Sequence, residues 1–282
     1  MEYIVAVYRL RHFAKAAEQC GVTQPTLSSM IQKLEDELGL RIFDRTAQPV
    51  APTPAGRLVV EQAWRVLVRA NKIKDIVAEA KRSVRGVFKV GILPTIAPYL
   101  LPRFFPRLLA DHPETDIRVA EMKTEAIKQA LARGEIDAAI VADVDGLALS
   151  AAASVRSADL ADSFLWLLDE GHCFRDQIVK FCGLKDGQTS KNVYSLGSIE
   201  TFMRMVEGGR GTTFIPELAL DQLSEAQRRL VRPFALPIPT RRIVLLTTRT
   251  FVREAMRSLL ADYVRAAVPP RMLSMNNTEQ RV

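Results

Sequence analysis

Cysteine is scarce in this chain: three residues in 282, at positions 20, 173 and 182. That excludes a secreted, disulfide-built framework and makes the cytoplasm the default compartment, where a persistent disulfide is unusual. Long apolar runs are missing as well. The strongest, "SFLWLL", falls far short of the ~20 residues that span a membrane, so no membrane partner is expected. The opening "MEYIVAVYRLRHF" has charges at both ends of a brief apolar stretch and no small-residue cleavage site, and reads as a first helix, not an export signal. Zinc-type spacing is absent: two sulfurs nine residues apart beside one histidine match no such pattern, so no metal and no cofactor are expected. What remains is an ordinary globular composition, 48% apolar and 25% charged, long enough for two or three domains. The net charge is +7, and residues 1–85 hold 14 Lys/Arg against 9 Asp/Glu. A basic first third hints at a polyanion partner.

"HFAKAAEQCGVTQPTLSSMIQKLEDELG" is the most informative helical stretch. Ala14, Ala16, Ala17 and Cys20 predict a short helix with small residues inward, ended by Gly21, which is free to turn left-handed. Thr23 predicts an N-cap, with Gln24 and Pro25 opening the next helix where a missing N–H costs little. Leu27, Met30, Ile31, Leu34 and Leu38 recur at helical spacing and predict a buried face. The opposite face offers Gln24, Thr26, Ser29, Gln32 and Lys33. Two helices about a tight glycine turn, the second polar at its start, predict a helix-turn-helix whose first turn enters a major groove, where Gln and Thr/Ser read base edges. An ordinary helical hairpin with a solvated face is the alternative that this motif alone leaves open. "LRIFDRTAQPVAPTPAG", with Arg41, Arg45 and three prolines, predicts a two-stranded wing whose arginines reach phosphates or a minor groove. Thr53 and Pro54 then read as N-cap and first residue of a long helix reaching about Lys81. Its stripe of Leu58, Val59, Ala63, Val66, Leu67, Ala70, Ile73, Ile76, Val77 and Ala80 needs a cover, and a second copy in a dimer is the simple one.

These residues resemble the LysR-type transcriptional regulators. "AAEQCGVTQPTLSSMIQKLEDELGLRIFDR" is similar to that family's run of AA, a short turn, (S/T)QP, a polar/apolar helix, LE, LG and (F/L)xR. The resemblance covers nearly the whole chain. It implies double-stranded DNA as partner, with Thr23, Gln24, Pro25, Thr26, Ser29, Gln32, Lys33 and Arg45 as DNA-binding residues, and RNA polymerase as a further partner. It also implies a homodimer or homotetramer.

Downstream, strand-like Val87–Ile92, Ile117–Glu121 and Ile136–Val141 alternate with helical Ala97–Leu109 and Glu125–Arg133, a βαβαβ order that implies a mostly parallel sheet. "NVYSLGS", "GTTFIPELAL" and "RRIVLLTTR" predict more strands, and "SIETFMRMVEGG" and "FVREAMRSLLADYVRAAV" predict helices. The fold class expected is α/β with an all-α winged helix-turn-helix N-terminal domain and a regulatory domain of two α/β subdomains of periplasmic-binding-protein type II. The domains expected are residues 1–52 (winged helix-turn-helix), 53–85 (linker and dimerisation helix), 86–270 (regulatory domain) and 271–282 (a loose tail).

"GHCFRDQIVKFCGL" places two of the cysteines together, beside His172 and Arg175. Taken as a helix, residues 173–182 put Phe174, Ile178, Phe181 and Cys182 on one apolar face, so Cys182 fits a core role. Cys173, ahead of that helix, is placed to ionise more readily than an ordinary thiol. At ~1.5 Å rise per residue the two sulfurs start roughly 13 Å apart on opposite faces, whereas a disulfide needs Cα atoms within about 7 Å. Either they never pair or pairing unwinds the helix. Residue chemistry leaves a redox switch and two unconnected thiols both open.

This segment, with "GILPTIAPYLLP", "AEMKTEAIKQAL", "GSIETFMRMVEGGRGTTFIPELAL" and "PIPTRRI", is similar to the peroxide-responsive activators of the LysR-type family. The resemblance implies that Cys173 is the thiolate attacked by hydrogen peroxide and Cys182 the resolving thiol. It implies that Thr95 and Thr124 line the peroxide pocket and that His172, Asp176 and Arg242 tune the thiolate or move protons. It further implies that a Cys173–Cys182 bridge changes oligomer geometry on DNA. Members of the family carry a longer stretch where this chain has only "LALSAAASVRSADLADSF", including the strand that begins the second subdomain, so a sheet short of one early strand is expected. The chain is expected to be a regulator, not an enzyme. The alternatives weighed are a regulator of the same fold sensing a small organic ligand in the cleft, a thiol peroxidase or oxidoreductase, which leaves the helix-turn-helix unexplained, and a solute-binding protein, which the missing export signal opposes.

Overall fold

Three helices, a two-stranded wing and one long helix form the first of two units, Met1–Lys81 and Arg82–Val282. The computed structural model describes residues 1–142, 164–181, 193–209, 211–234, 238–273 and 279–281. In the first unit α1 (Glu2–Leu10), α2 (Phe13–Gln19) and α3 (Gln24–Leu38) pack around Ile4, Val7, Ala16, Ala17, Leu27 and Ile31, all essentially excluded from water. The turn before α3 depends on Gly21 at φ +67°, and Thr23 caps α3 by accepting from the Thr26 amide at 3.4 Å. The wing pairs β1 (Phe43–Asp44) with β2 (Ala51–Pro52) in antiparallel register. The Thr53 hydroxyl accepts from the Gly56 amide at 2.9 Å and donates to the Arg41 carbonyl at 2.7 Å, tying the start of α4 (Pro54–Ala80) to the wing.

The inner face of α3 differs from the sequence expectation. Leu27, Ile31 and half-buried Leu34 face inward, but Met30 and Leu38 are exposed, and so is Ala14 on α2. The wing folds back over the C-terminal half of α3, and the inner position there belongs to Glu35, 2% exposed. A carboxylate sits there because two wing amides need an acceptor. On α4 only Gly56, Val60 and Ala63 are buried. Leu58, Ile73, Ile76 and Val77 are open to solvent within this unit.

The second unit begins with a four-stranded sheet in the order β4-β3-β5-β9. β3 (Gly86–Ile92) runs parallel to β4 (Thr115–Glu121) and β5 (Ala138–Ala142), and β9 (Ile243–Thr247) closes the far edge antiparallel to β5. Helices α5 (Ala97–Asp111), α6 (Thr124–Arg133) and α10 (Glu254–Ala266) flank it, with Phe88, Ile92, Leu100, Phe104, Ile127 and Met256 in the shared core. The second lobe has β6 (Leu165–Leu168) parallel to β7 (Val193–Leu196), with α7 (Cys173–Phe181), α8 (Ile199–Glu207) and α9 (Glu225–Leu230). The sheet there has two strands among the described residues, and residues 143–163 of the short connecting stretch lie outside them.

Two expectations fail. "GTTFIPELAL" is not a strand: Thr212 makes one isolated bridge to Leu165, and Glu217–Gln222 turn into a 3₁₀ helix after Pro216, which cannot donate to a ladder. The tail is not wholly loose, since β10 (Glu279–Arg281) pairs in parallel with β8 (Ile238–Thr240). A polar tripeptide carries no apolar alternation to announce such a strand. Across the lobes, buried Tyr99 donates its hydroxyl to Glu200 at 2.6 Å, Gln222 donates to the Pro98 carbonyl at 3.0 Å, and Arg103 pairs with Asp221. Burial pushes the Tyr99 pKa far above its ordinary value, so it stays a donor.

Candidate nucleic-acid interface and thiol site

Thr23, Gln24, Pro25, Thr26, Ser29 and Lys33 form one exposed surface on the first three turns of α3. The Thr23 and Thr26 hydroxyls share a hydrogen bond at 2.8 Å. Half-buried Gln32 donates to Asp36 at 2.8 Å and accepts from Arg41, so its amide is already oriented. Arg41 and Arg45 converge on one oxygen of Glu35, at 3.1 and 3.2 Å. Its other oxygen accepts the Ile42 and Phe43 amides at 2.7 and 3.1 Å. Burial by itself would raise the Glu35 pKa, but the Phe43 and Ile42 amides and the two guanidiniums together hold it below the usual carboxylate range. Arg45 also donates to Ser28 at 3.1 Å and lies 5.4 Å over the Phe13 ring. The wing arginines therefore serve as braces, with outward faces still open. Glu35→Ala is expected to lower the stability of this unit by about 2–6 kcal/mol, because two buried amides lose an acceptor at ~1–3 kcal/mol each. Thermal denaturation checks this; an unchanged melting point would mean that the wing does not depend on Glu35.

The thiol site lies where α7 starts. Cys173 is the first residue of α7 and not, as expected, ahead of it; it is 8% exposed and joins the core cluster of the first lobe. Phe174 is half-buried and Ile178 buried, as their spacing requires. Cys182 lies outside the described residues, and Cys173 and Cys20 are free thiols. Buried His172 approaches Asp169 at 3.6 Å. Burial first, then the charge of Lys123, lowers the His172 pKa, against the pull of Asp169 and Asp176. The ring is thus neutral at pH 7, with one nitrogen able to accept a proton. Lys123 donates to Asp169 at 3.1 Å and to the Glu170 carbonyl at 3.0 Å, binding the start of α6 to the loop before His172. Beside it Thr124 begins α6 with its hydroxyl buried and without a hydrogen-bond partner. Asp176 is exposed on the first turn of α7.

The expected arginine is displaced by one residue. Arg242 is exposed, and Arg241 is the guanidinium turned inward. It donates to Thr95, 3% exposed, at 3.4 Å and to Gln177, also 3% exposed, at 3.5 Å, and its carbon lies 4.8 Å from the centre of the Phe174 ring. Burial lowers its pKa from the ordinary value, while the charge of Cys173 acts the other way. A guanidinium stays charged under such a shift. Adjacent side chains in an extended segment such as the link between Thr240 and Ile243 face opposite ways, so a slip of one position exchanges inside for outside, and "TRRI" gives no means of choosing. Gln177, which accepts from Arg241, is marked in the sequence only by its place one turn after Cys173.

A winged helix-turn-helix followed in the chain by a two-lobed α/β unit with a buried thiol defines a transcription regulator with a sensor domain. Residues 1–57 match the helix-turn-helix model of bacterial regulatory proteins of the lysR family, and residues 81–148 and 145–269 match the LysR substrate binding domain. The chain belongs to the LysR family of bacterial transcriptional regulators and, within it, to the hydrogen peroxide-inducible genes activators. The activator of that name from Pectobacterium carotovorum is 34% identical over 286 residues, 94% of each chain. Full-length OxyR from Pseudomonas aeruginosa, solved as a cysteine-to-aspartate variant, superposes with a TM-score of 0.74 at 35% identity, covering 94% of this chain and 93% of that one. A cysteine-to-serine variant of Corynebacterium glutamicum OxyR, solved with hydrogen peroxide bound, gives 0.56 at 27% identity over 94% and 90%. Among the described residues no helix is long and apolar enough to cross a membrane, and no group of three or more His, Cys, Asp or Glu is placed to hold a metal.

Proposed function

We propose that this regulator binds double-stranded DNA through the exposed face of α3 and the wing, and that it senses hydrogen peroxide at Cys173. The observation that carries the reading is a buried thiol at the first position of a helix whose first turns hold an inward-turned guanidinium through Phe174 and Gln177, in a chain related along its length to peroxide-inducible activators. The Cys173 thiolate attacks one peroxide oxygen, the O–O bond breaks, and hydroxide leaves; the product is Cys173 sulfenic acid. Arg241 and the orphaned Thr124 hydroxyl supply donors to the departing oxygen, and Thr95 orients the guanidinium. Neutral His172 takes or relays the thiol proton, with Asp176 biasing it. The Cys182 thiol then displaces water from the sulfenic acid and closes a disulfide, which cannot form while α7 is intact. The exposed stripe of Leu58, Ile73, Ile76 and Val77 supports a dimer through residues 53–85, and tetramer assembly, RNA polymerase contact and a cytoplasmic setting complete the reading.

Non-reducing peptide mapping before and after dilute peroxide tests it. A Cys173–Cys182 crosslink is expected in the parent protein and none in Cys173→Ser, whose DNA footprint stays unchanged by peroxide. A peroxide-responsive footprint in Cys173→Ser would transfer sensing to another group.

A further inference from the structure

Arg241 is held mostly by the helix it acts upon. Its contacts at the thiol site are Thr95, in the loop after β3, and three residues of α7: Cys173 by charge, Phe174 through its ring face, and Gln177 through its amide oxygen. Those three stand at i, i+1 and i+4. On an α-helix they share one side, within about 100° of arc; in an extended chain the first two point apart. Both hydrogen bonds are long, at 3.4 and 3.5 Å, and either alone leaves the guanidinium loosely placed. The ring at 4.8 Å lies well inside cation–π range, in a site largely closed to water where such a contact is strongest.

We infer that Phe174 and Gln177 are positioning residues that clamp the Arg241 guanidinium against Cys173, and that the clamp exists only while α7 is helical. This rests on the peroxide-sensing reading and adds a device to it. The helical state of α7 sets the reactivity of its own first residue. When the helix unwinds, ring and amide leave together, and of these partners Arg241 retains only Thr95. A reduced thiol in a segment not yet rewound is then a slow target, so the sensor is ready again when α7 refolds and not when the disulfide is cut.

The other reading is that Phe174 merely packs, since it touches both apolar clusters of the second lobe. Phe174→Leu keeps an apolar side chain and removes the π face; Phe174→Tyr keeps the face; Gln177→Leu removes only the amide. Reduced full-length proteins are mixed with peroxide, oxidation of the Cys173 peptide is followed by mass spectrometry, and the pH profile of its alkylation by iodoacetamide is recorded. Phe174→Leu and Gln177→Leu are expected to react about tenfold more slowly, with the alkylation profile moved to higher pH, and Phe174→Tyr to stay within about threefold of the parent. Packing alone would not move the pH profile. If both leucine variants keep the parent's rate and profile while Arg241→Ala is slow, the clamp is wrong and peroxide sensing stands. If Phe174→Leu fails to fold, Gln177→Leu decides by itself. If Cys173 of the parent does not react with peroxide at all, the sensing reading falls and the clamp falls with it.

Discussion

Arg241→Ala is expected to slow the reaction of Cys173 with peroxide about a hundredfold, whereas Arg242→Ala leaves it within about twofold, by the usual cost of removing one donor from a developing oxyanion. The two arginines are neighbours of identical chemistry, and only side-chain direction separates them. Arg241 is enclosed by Thr95, Gln177 and Phe174, while Arg242 faces solvent. A cation enclosed beside a thiolate and a leaving hydroxide acts through a low local dielectric, but an exposed one is screened by water and salt. Arg241→Lys should fall between parent and alanine. Lysine keeps the charge, but it lacks the planar fork that reaches Thr95 and Gln177 at once and stacks on Phe174. Stopped-flow kinetics under peroxide excess measures all three. An Arg242 variant slower than the Arg241 variant would show that the segment before β9 presents the other arginine.

Gly56→Ala is expected to cost the DNA-binding unit about 3 kcal/mol or more, the upper end of overpacking, and with it DNA affinity at physiological temperature. A methyl there would stand 1.9 Å from the Ile42 carbonyl oxygen and 2.7 Å from its Cα. Backbone cannot swing aside as the end of a flexible side chain can. Ile42 is also held on both sides, its amide by Glu35 at 2.7 Å and its carbonyl by the Thr53 amide at 2.9 Å. Gly39→Ala makes the contrast. Gly39 ends α3 at φ +66° with open space around it, so alanine pays only about 1 kcal/mol of backbone strain. Melting curves of the two variants, with gel shifts on the same DNA, test the ordering. A Gly39 variant less stable than the Gly56 variant would mean that the close approach of α4 to the wing is not tight in solution.

Much of this architecture could be read along the chain because its signals are local and repeated. The Thr23 cap, the Gly21 turn, the Thr53–Pro54 start of α4 and the βαβαβ alternation each depend on neighbours within a few positions. The failures share a different character. Glu35 reads as one more charge on a solvated helix, and its burial depends on amides seven and eight residues away, brought over it by the wing. Met30 and Leu38 satisfy helical spacing, yet the core ends before it reaches them. The stretch after Gly211 has strand-like composition but only one bridge partner, and the tail has a strand partner but no strand-like composition.

The class of the molecule, a DNA-binding regulator with a cysteine-bearing sensor, could be read from residue order, since caps, turns and apolar periods are written in consecutive residues and the family motif spans them. Which arginine turns inward beside α7, its contacts with Gln177 and Phe174, and the bracing of the wing by Glu35 became legible in the folded molecule. Each of those is a meeting of groups that no local repeat pairs, from wing amides seven and eight residues after Glu35 to an arginine 64 residues after Gln177, settled by which way a strand or loop faces once the core has closed.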